Sequence, residues 1–189
     1  MLYSTNIIAV VGLNERAVFT PRRLTIWDTN TQTSRMDFSF NSLISYVKMN
    51  KQRYEDSVCD IESRLVVATQ YNIDVYNLLN MHKLFSIDID GSLVRLALTP
   101  GQTSCYLAYT ANLVQGDVTV YDLISCTKQL SISAHRKPVI QMKFNPKGNM
   151  LATASSDVSR IRATRRGKRY EYSRFRTARS SIACDEACT

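Results

Sequence analysis

A short strand-like run ending in an aromatic residue and then a small polar one occurs three times along this chain. The copies are Leu24-Thr25-Ile26-Trp27-Asp28, Ile73-Asp74-Val75-Tyr76-Asn77 and Val118-Thr119-Val120-Tyr121-Asp122. Their aromatics stand 49 and then 45 residues apart. Each copy is followed by a polar turn and a second β-prone run, at residues 35–40, 83–87 and 128–133. Self-similarity at a fixed period means that one supersecondary unit is repeated, and such a unit buries its apolar faces only against its neighbours.

The rest of the chain fits the same unit. Apolar and β-branched runs lie at 6–13, 24–28, 43–49, 65–69, 73–76, 93–98, 105–109, 118–123, 139–144 and 150–155. They are short, bounded by polar turns, and none keeps a helical apolar period over three turns. A period of 45 to 49 with four strands per period is that of a WD-type propeller blade. A fourth unit opens with Ala134-His135, the run at 139–144, the turn Asn145-Pro146-Lys147-Gly148, and Leu151-Ala152-Thr153-Ala154-Ser155. The expected fold is therefore all-β: a partial WD-type β-propeller of about three and a half four-stranded antiparallel blades, the first lacking its opening strand. Trp27, Tyr76 and Tyr121 are expected to pack between sheets. A stack of this size exposes a sheet face at each end and is expected to be aggregation-prone.

Charge separates a body from a tail. The 189-residue chain carries 24 Lys and Arg against 16 Asp and Glu, a net charge of +8. Nine of the bases and one acid, Glu171, fall between residues 158 and 179. Setting those aside leaves 15 bases against 15 acids, so the body gives no electrostatic reason to bind a polyanion. The repeat fails after Ser156, and two domains are expected: a partial propeller over 1–157 and a divergent, poorly ordered basic tail over 158–189.

Several chemistries find no support. The five cysteines (Cys59, Cys105, Cys126, Cys184 and Cys188) form no C-x-x-C pair, and His82 and His135 lie far from any such pair. They read as free thiols of a reducing compartment, with no metal site and no cofactor. His135 begins a repeat, where a local hydrogen-bond role is expected. G-x-S-x-G, P-loop and H-E-x-x-H motifs are absent, so no catalytic residues and no small-molecule substrate are assigned. No run of 18 apolar residues predicts a transmembrane helix, and the N-terminus has no signal-peptide pattern.

Taken in order, a further set of stretches is more specific. They are Met1-Leu2-Tyr3-Ser4-Thr5-Asn6-Ile7-Ile8-Ala9-Val10-Val11-Gly12, Thr20-Pro21-Arg22-Arg23-Leu24, Tyr46-Val47-Lys48-Met49-Asn50-Lys51, Arg64-Leu65-Val66-Val67, Met81-His82-Lys83-Leu84, Cys105-Tyr106-Leu107-Ala108-Tyr109, Gly116-Asp117-Val118 and Ala134-His135. Over residues 1–162 the chain resembles the PROPPIN (WIPI-type) propellers, phosphoinositide-binding WD-repeat proteins of autophagy. An extra stretch at about 54–63 stands where that family runs straight on.

The resemblance implies a seven-bladed, non-enzymatic scaffold. It would be cytoplasmic and peripherally recruited to autophagic precursor and endosomal or vacuolar membranes. It would read phosphatidylinositol 3-phosphate and the 3,5-bisphosphate and recruit autophagy-related proteins. The family's Phe-Arg-Arg-Gly lipid motif sets two guanidinium forks against phosphates. Here the matching stretch is Tyr172-Ser173-Arg174-Phe175, which keeps the aromatic and the second arginine and replaces the first arginine and the glycine. The first-pocket Ser, Gly, Thr and Arg align with Ser155, Val158, Ser159 and Arg162. The implied lipid-binding residues are thus Ser155, Ser159, Arg162 and Arg174. The family's partner-binding surface near its second blade is matched by Pro21 and Arg22, with Arg23 beside them. Two alternatives stand beside this one. A WD-repeat interaction module that has lost lipid binding needs only the Pro21–Arg23 region. A basic nucleic-acid-binding protein would rest on the tail alone and show steep salt dependence.

Overall fold

The computed structural model describes residues 6–14, 20–50, 63–89, 94–100, 105–110, 114–155, 160–165 and 168–173, the last two stretches in backbone only. Among these residues every regular element is a strand. The first sheet has three strands: β1 (Ile7–Val11), β2 (Arg23–Asp28) and β3 (Thr33–Ser39). The second has four: β4 (Tyr46–Asn50), β5 (Arg64–Ala68), β6 (Asn72–Asn77) and β7 (Lys83–Asp88). The third runs β8 (Leu96–Leu98), β9 (Tyr106–Thr110), β10 (Gly116–Asp122) and β11 (Thr127–His135). The fourth runs β12 (Val139–Phe144), β13 (Met150–Ser155), β14 (Arg160–Arg165) and β15 (Lys168–Ser173). Each sheet is an antiparallel meander in chain order, and among the described residues the first has three strands where the others have four.

One hairpin design accounts for the repeat in the first three sheets. The polar residue after each aromatic caps the turn: the Oδ1 of Asp28, Asn77 and Asp122 accepts from the backbone N–H of Asn30, Leu79 and Ile124 at 3.0, 2.9 and 2.8 Å. The N–H between them, of Thr29, Leu78 or Leu123, donates back to the residue opening the sheet's long inner pairing, Asn6, Ser63 or Cys105. Five residues after each aromatic the backbone turns left-handed, at Gln32 (φ 54°), Met81 (φ 59°) and Cys126 (φ 54°). A bulge sits just before each aromatic in its pairing with the following strand.

Burial alternates by face. Leu65 and Val67 of β5 pack on the first sheet with Leu24, Ile26 and Tyr76, while Val66 and Ala68 pack on the third with Leu107 and Tyr109. All five β5 residues are buried, and after Arg64 the strand reads as an unbroken apolar run because it is covered on both faces. Ala97, Ala108, Val118 and Val120 carry the stack onto Met142, Phe144 and Leu151 of the fourth sheet. The opening strands β4, β8 and β12 lie side by side, so the sheets converge along one edge. Burying each Val or Leu in these seams contributes about 1.5–3 kcal/mol.

Two expectations need correction. β14 and β15 lie inside the stretch expected to be tail, and they complete the fourth sheet. Their sequences alternate Ile161 and Ala163, then Tyr170 and Tyr172, with charged or polar residues, a strand pattern obscured by the density of arginine. The register pairs Arg165 with Lys168, so two residues separate the paired strands. Trp27 is also not packed between sheets. It is 39% exposed, because the sheet that would cover it has no counterpart among the described residues. The expected insertion at 54–63 lies outside the described residues except for Ser63, and so do residues 174–189. Among the described residues no helix is long and apolar enough to cross a membrane.

The left-handed turn gives a test. A non-glycine residue there costs about 1 kcal/mol. Gln32→Gly is therefore expected to raise stability by about 1 kcal/mol in urea unfolding, and a lower midpoint would contradict the turn assignment. Conversely, a Cβ on Gly116 would lie 2.5 Å from the Lys137 carbonyl oxygen, so Gly116→Ala is expected to destabilise by about 1–3 kcal/mol.

Candidate functional site

Two regions gather the residues singled out in the sequence. The first is the far end of β13. Ser155 closes that strand and is buried, as are Thr153 on the same face and His135 at the end of β11. The His135 Nε2 lies 3.1 Å from the Thr153 carbonyl oxygen and 2.9 Å from its hydroxyl. A carbonyl can only accept, so Nε2 carries the proton. This is the local network expected of a repeat-opening histidine, and it ties the third sheet to the fourth. The backbone of Arg162 pairs with Thr153 on one side and Glu171 on the other. Ser155, Thr153, His135 and the Arg162 backbone thus share one neighbourhood. Ser159 and Arg174 lie outside the described residues.

The second region lies between the first two sheets. A groove of about 310 Å³ is lined by Phe38, Phe40, Ser42, Asp74, Tyr76 and Lys83, among others. Phe38 packs against Tyr76 with ring centroids 4.8 Å apart. The Asp74 carboxylate accepts from the Ser86 hydroxyl at 2.6 Å and pairs with the Lys83 ammonium at 2.7 Å. Asp74 is nearly buried and Lys83 is half-exposed, so the groove offers an ammonium at its mouth and aromatic walls within. Burial, with the Asp74 carboxylate second, pushes the Tyr76 hydroxyl up to about 12.

Pro21 and Arg22 do not line this groove but hold the segment that does, through their backbones. The Pro21 carbonyl accepts from Ile44 N–H at 3.0 Å and the Arg22 carbonyl from Phe40 N–H at 2.9 Å. They fasten the link between β3 and β4, one side of which forms the groove wall. Arg23 is separated from them. It begins β2 on the opposite face and bridges Asp37 at 2.9 Å. Asp37 also accepts from the Thr25 hydroxyl at 2.5 Å, and these two bonds, Thr25 first, hold its carboxyl below the usual range. Sequence reasoning missed Asp74, Tyr76 and Lys83 as groove residues. The available signal was a carboxylate in the middle of an apolar strand, Ile73-Asp74-Val75, which demands a partner.

Among the described residues no group of three His, Cys, Asp or Glu side chains could hold a metal ion. Cys105 is a buried thiol outside any disulfide that accepts from the Asn50 amide at 3.0 Å, and Cys126 is an exposed thiol outside any disulfide.

Comparison with known proteins follows the same outline. The family model described as PROPPIN matches residues 1–184. Autophagy-related protein 18b of Arabidopsis thaliana is 33% identical over 86% of this chain and 42% of its own length. WD repeat domain phosphoinositide-interacting protein 2 of Gallus gallus is 29% identical over 85% of this chain and 33% of its own. The chain thus spans less than half the length of these relatives. Among solved structures, Kluyveromyces lactis Hsv2 superposes with a TM-score of 0.70 at 23% identity, covering 92% of this chain and 50% of Hsv2. KlAtg21, in its complex with the coiled-coil of AgAtg16, superposes at 0.72 and 24% identity over 90% of this chain and 53% of its own. These likenesses show the fold: about half of a β-propeller.

Tyr76 binds its proton more tightly folded than unfolded. The stability this confers is complete below about pH 10 and is lost as pH rises from there towards 12. Tyr76→Phe is expected to remove that component of the alkaline loss, read as unfolding midpoints across this range. An unchanged pH profile would show that the hydroxyl is not desolvated.

Proposed function

The chain belongs to the PROPPIN family, and from that premise we propose that it serves autophagy as a non-enzymatic scaffold that reads 3-phosphorylated phosphoinositides, phosphatidylinositol 3-phosphate or the 3,5-bisphosphate, on membranes. It would be cytoplasmic and recruited to autophagic precursor and endosomal or vacuolar membranes. The observation that carries this is the β13–β14 register, which sets the Arg162 backbone opposite Thr153, two residues from Ser155. A buried hydroxyl strand-end beside an arginine-bearing strand suits a phosphomonoester: the guanidinium supplies charge and a fork of donors, and the serine, threonine and histidine fix its orientation. Ser159 and Arg174 would complete the ligand set.

A second function on the same scaffold is recruitment of an autophagy protein at the groove beside Pro21 and Arg22. Its support is the geometry of that groove, with aromatic walls and an ammonium at the mouth, together with the solved complex of KlAtg21 with a coiled-coil of AgAtg16. An acidic, partly apolar helix would fit such a site.

Liposome flotation at physiological salt tests the lipid function. One vesicle set carries phosphatidylinositol 3-phosphate and the other phosphatidylserine at matched charge. Selective binding to the phosphoinositide is expected, with Arg162→Gln weakening it roughly tenfold or more, since a charge-assisted hydrogen bond is worth about 1.5–3 kcal/mol. Equal binding to both sets, lost as salt rises, would mean that the basic C-terminal stretch acts as a nonspecific polycation, gaining about 1 kcal/mol per charge. The chain would then be a protein-interaction module alone.

A further inference from the structure

Three residues, Arg136, Lys137 and Pro138, join β11 of the third sheet to β12 of the fourth. The first two are exposed cations, and the link contains no acid. Its counterpart between the first two sheets, residues 40–45, carries no charge. The counterpart between the second and third sheets ends at Arg95, whose guanidinium donates to the Tyr46 hydroxyl and is held against the second sheet. Among the described residues of the three links, the one between β11 and β12 alone presents two adjacent cations to solvent.

The link is fixed from three sides. Before it, His135 is buried, with Nε2 against the Thr153 carbonyl and hydroxyl. After it, the Pro138 ring sets its own φ, and the buried Val139 pairs with Ser155. Beneath it, Gly116 stands opposite His135 in the register. A Cβ on Gly116 would lie 2.5 Å from the Lys137 carbonyl oxygen and 2.6 Å from that of His135, so the bare glycine lets the link close over the start of β10. A cation pair on a link anchored in this way gives up little backbone freedom when a ligand arrives.

The residues that anchor the link are those of the candidate phosphate site. Lys137 is two residues from Val139, the partner of Ser155, and two residues span at most about 7 Å. Lysine and arginine side chains reach across such a gap. On the other side of β13, Arg162 stands opposite Thr153. The end of β13 thus has an arginine-bearing strand on one side and the cation pair beyond the other. One phosphomonoester is served by Arg162 and the hydroxyl-bearing strand end. Two further cations, set back from Ser155, suit a second phosphate on the same ring.

We propose that Arg136 and Lys137 form the subsite for that second phosphate, so that the site takes a 3,5-bisphosphorylated inositol headgroup in preference to the 3-monophosphate. The inference rests on the phosphoinositide reading of the Ser155–Arg162 site given above. The strand end and Arg162 hold the 3-phosphate, and the link meets the 5-phosphate. Phosphates on the third and fifth ring carbons stand farther apart than on the adjacent third and fourth. A link set back from Ser155 therefore favours the 3,5 isomer over the 3,4.

Flotation of the full chain at physiological salt tests this. The vesicles are matched in total charge and carry phosphatidylserine alone, phosphatidylinositol 3-phosphate, the 3,5-bisphosphate or the 3,4-bisphosphate. The wild type is expected to bind the 3,5-bisphosphate roughly tenfold more tightly than the 3-phosphate, and more tightly than the 3,4 isomer. Arg136→Gln with Lys137→Gln should bring the affinities for the 3,5-bisphosphate and the 3-phosphate together, and each replacement alone should narrow the gap. Lys143→Gln with Lys147→Gln removes the same charge from the fourth sheet away from the link and should keep the gap. All four residues are exposed, and far-UV circular dichroism verifies folding. The comparison sets two ligands against one preparation, so a loss of folded protein does not move it. A wild type that prefers 3-phosphorylated lipids to phosphatidylserine but treats the 3-phosphate and the 3,5-bisphosphate alike would overturn this proposal and leave the reading beneath it standing. So would equal binding of the 3,4 isomer, or a gap that survives the double replacement at 136 and 137. A wild type that treats all four vesicle sets alike would overturn the reading itself, and the proposal with it.

Discussion

A β-sheet that is apolar on both faces is stable only between two others, and everything else in this chain follows from that. β5 makes the point in four residues: Leu65 and Val67 face one neighbour, Val66 and Ala68 the other, and none is accessible to water. Such a strand has no solvent side to lend it polar character. Hydrogen bonding within the sheet satisfies its backbone, and side-chain packing across two seams supplies the driving force. The capped turns, bulges and left-handed residues repeat with the same offsets because each unit must present both faces at the same angle.

Much of this was legible from residues, and where it was not the reason is physical. The aromatic–polar pairs at Trp27, Tyr76 and Tyr121 located three hairpins because the polar member has a local job that any chain must fill, capping the turn two residues on. The left-handed positions carried no signal. Gln32, Met81 and Cys126 are not glycine or asparagine, and the hairpin around each holds it in place despite the backbone cost. The fourth sheet was cut short because β14 does not end in an aromatic–polar pair, and because charge density in 158–179 suggests tail while the alternation beneath it suggests strand. Trp27 shows the opposite limit: its identity marked a seam, and only the structure revealed that nothing described fills it.

The candidate sites follow from the same stacking. The His135–Thr153 network exists because the end of β11 is laid against β13 where two sheets meet, and that junction brings a serine, a threonine and an arginine-bearing strand together. The family resemblance pointed to Ser155 and Arg162 but not to the buried histidine between sheets as their neighbour. The groove near Pro21 and Arg22 likewise appears only on stacking, since Phe38 and Phe40 come from one sheet and Asp74, Tyr76 and Lys83 from the next. Sequence could find Pro21-Arg22 as a motif. It could not show that the carbonyls of these two hold the link between β3 and β4 while Arg23 is turned to Asp37.

Native-state hydrogen exchange measures the central claim directly, because it reports the opening free energy of each strand separately. If stacking on both faces holds the molecule together, the amides of β5 and β9 exchange only through global unfolding and set the upper limit of protection, with β3 and β7 at the sheet edges opening earlier. Equal protection of β5 and β3, or loss of β5 protection while the first sheet stays closed, would show that the sheets are stable singly and that the seams between them do not carry the fold.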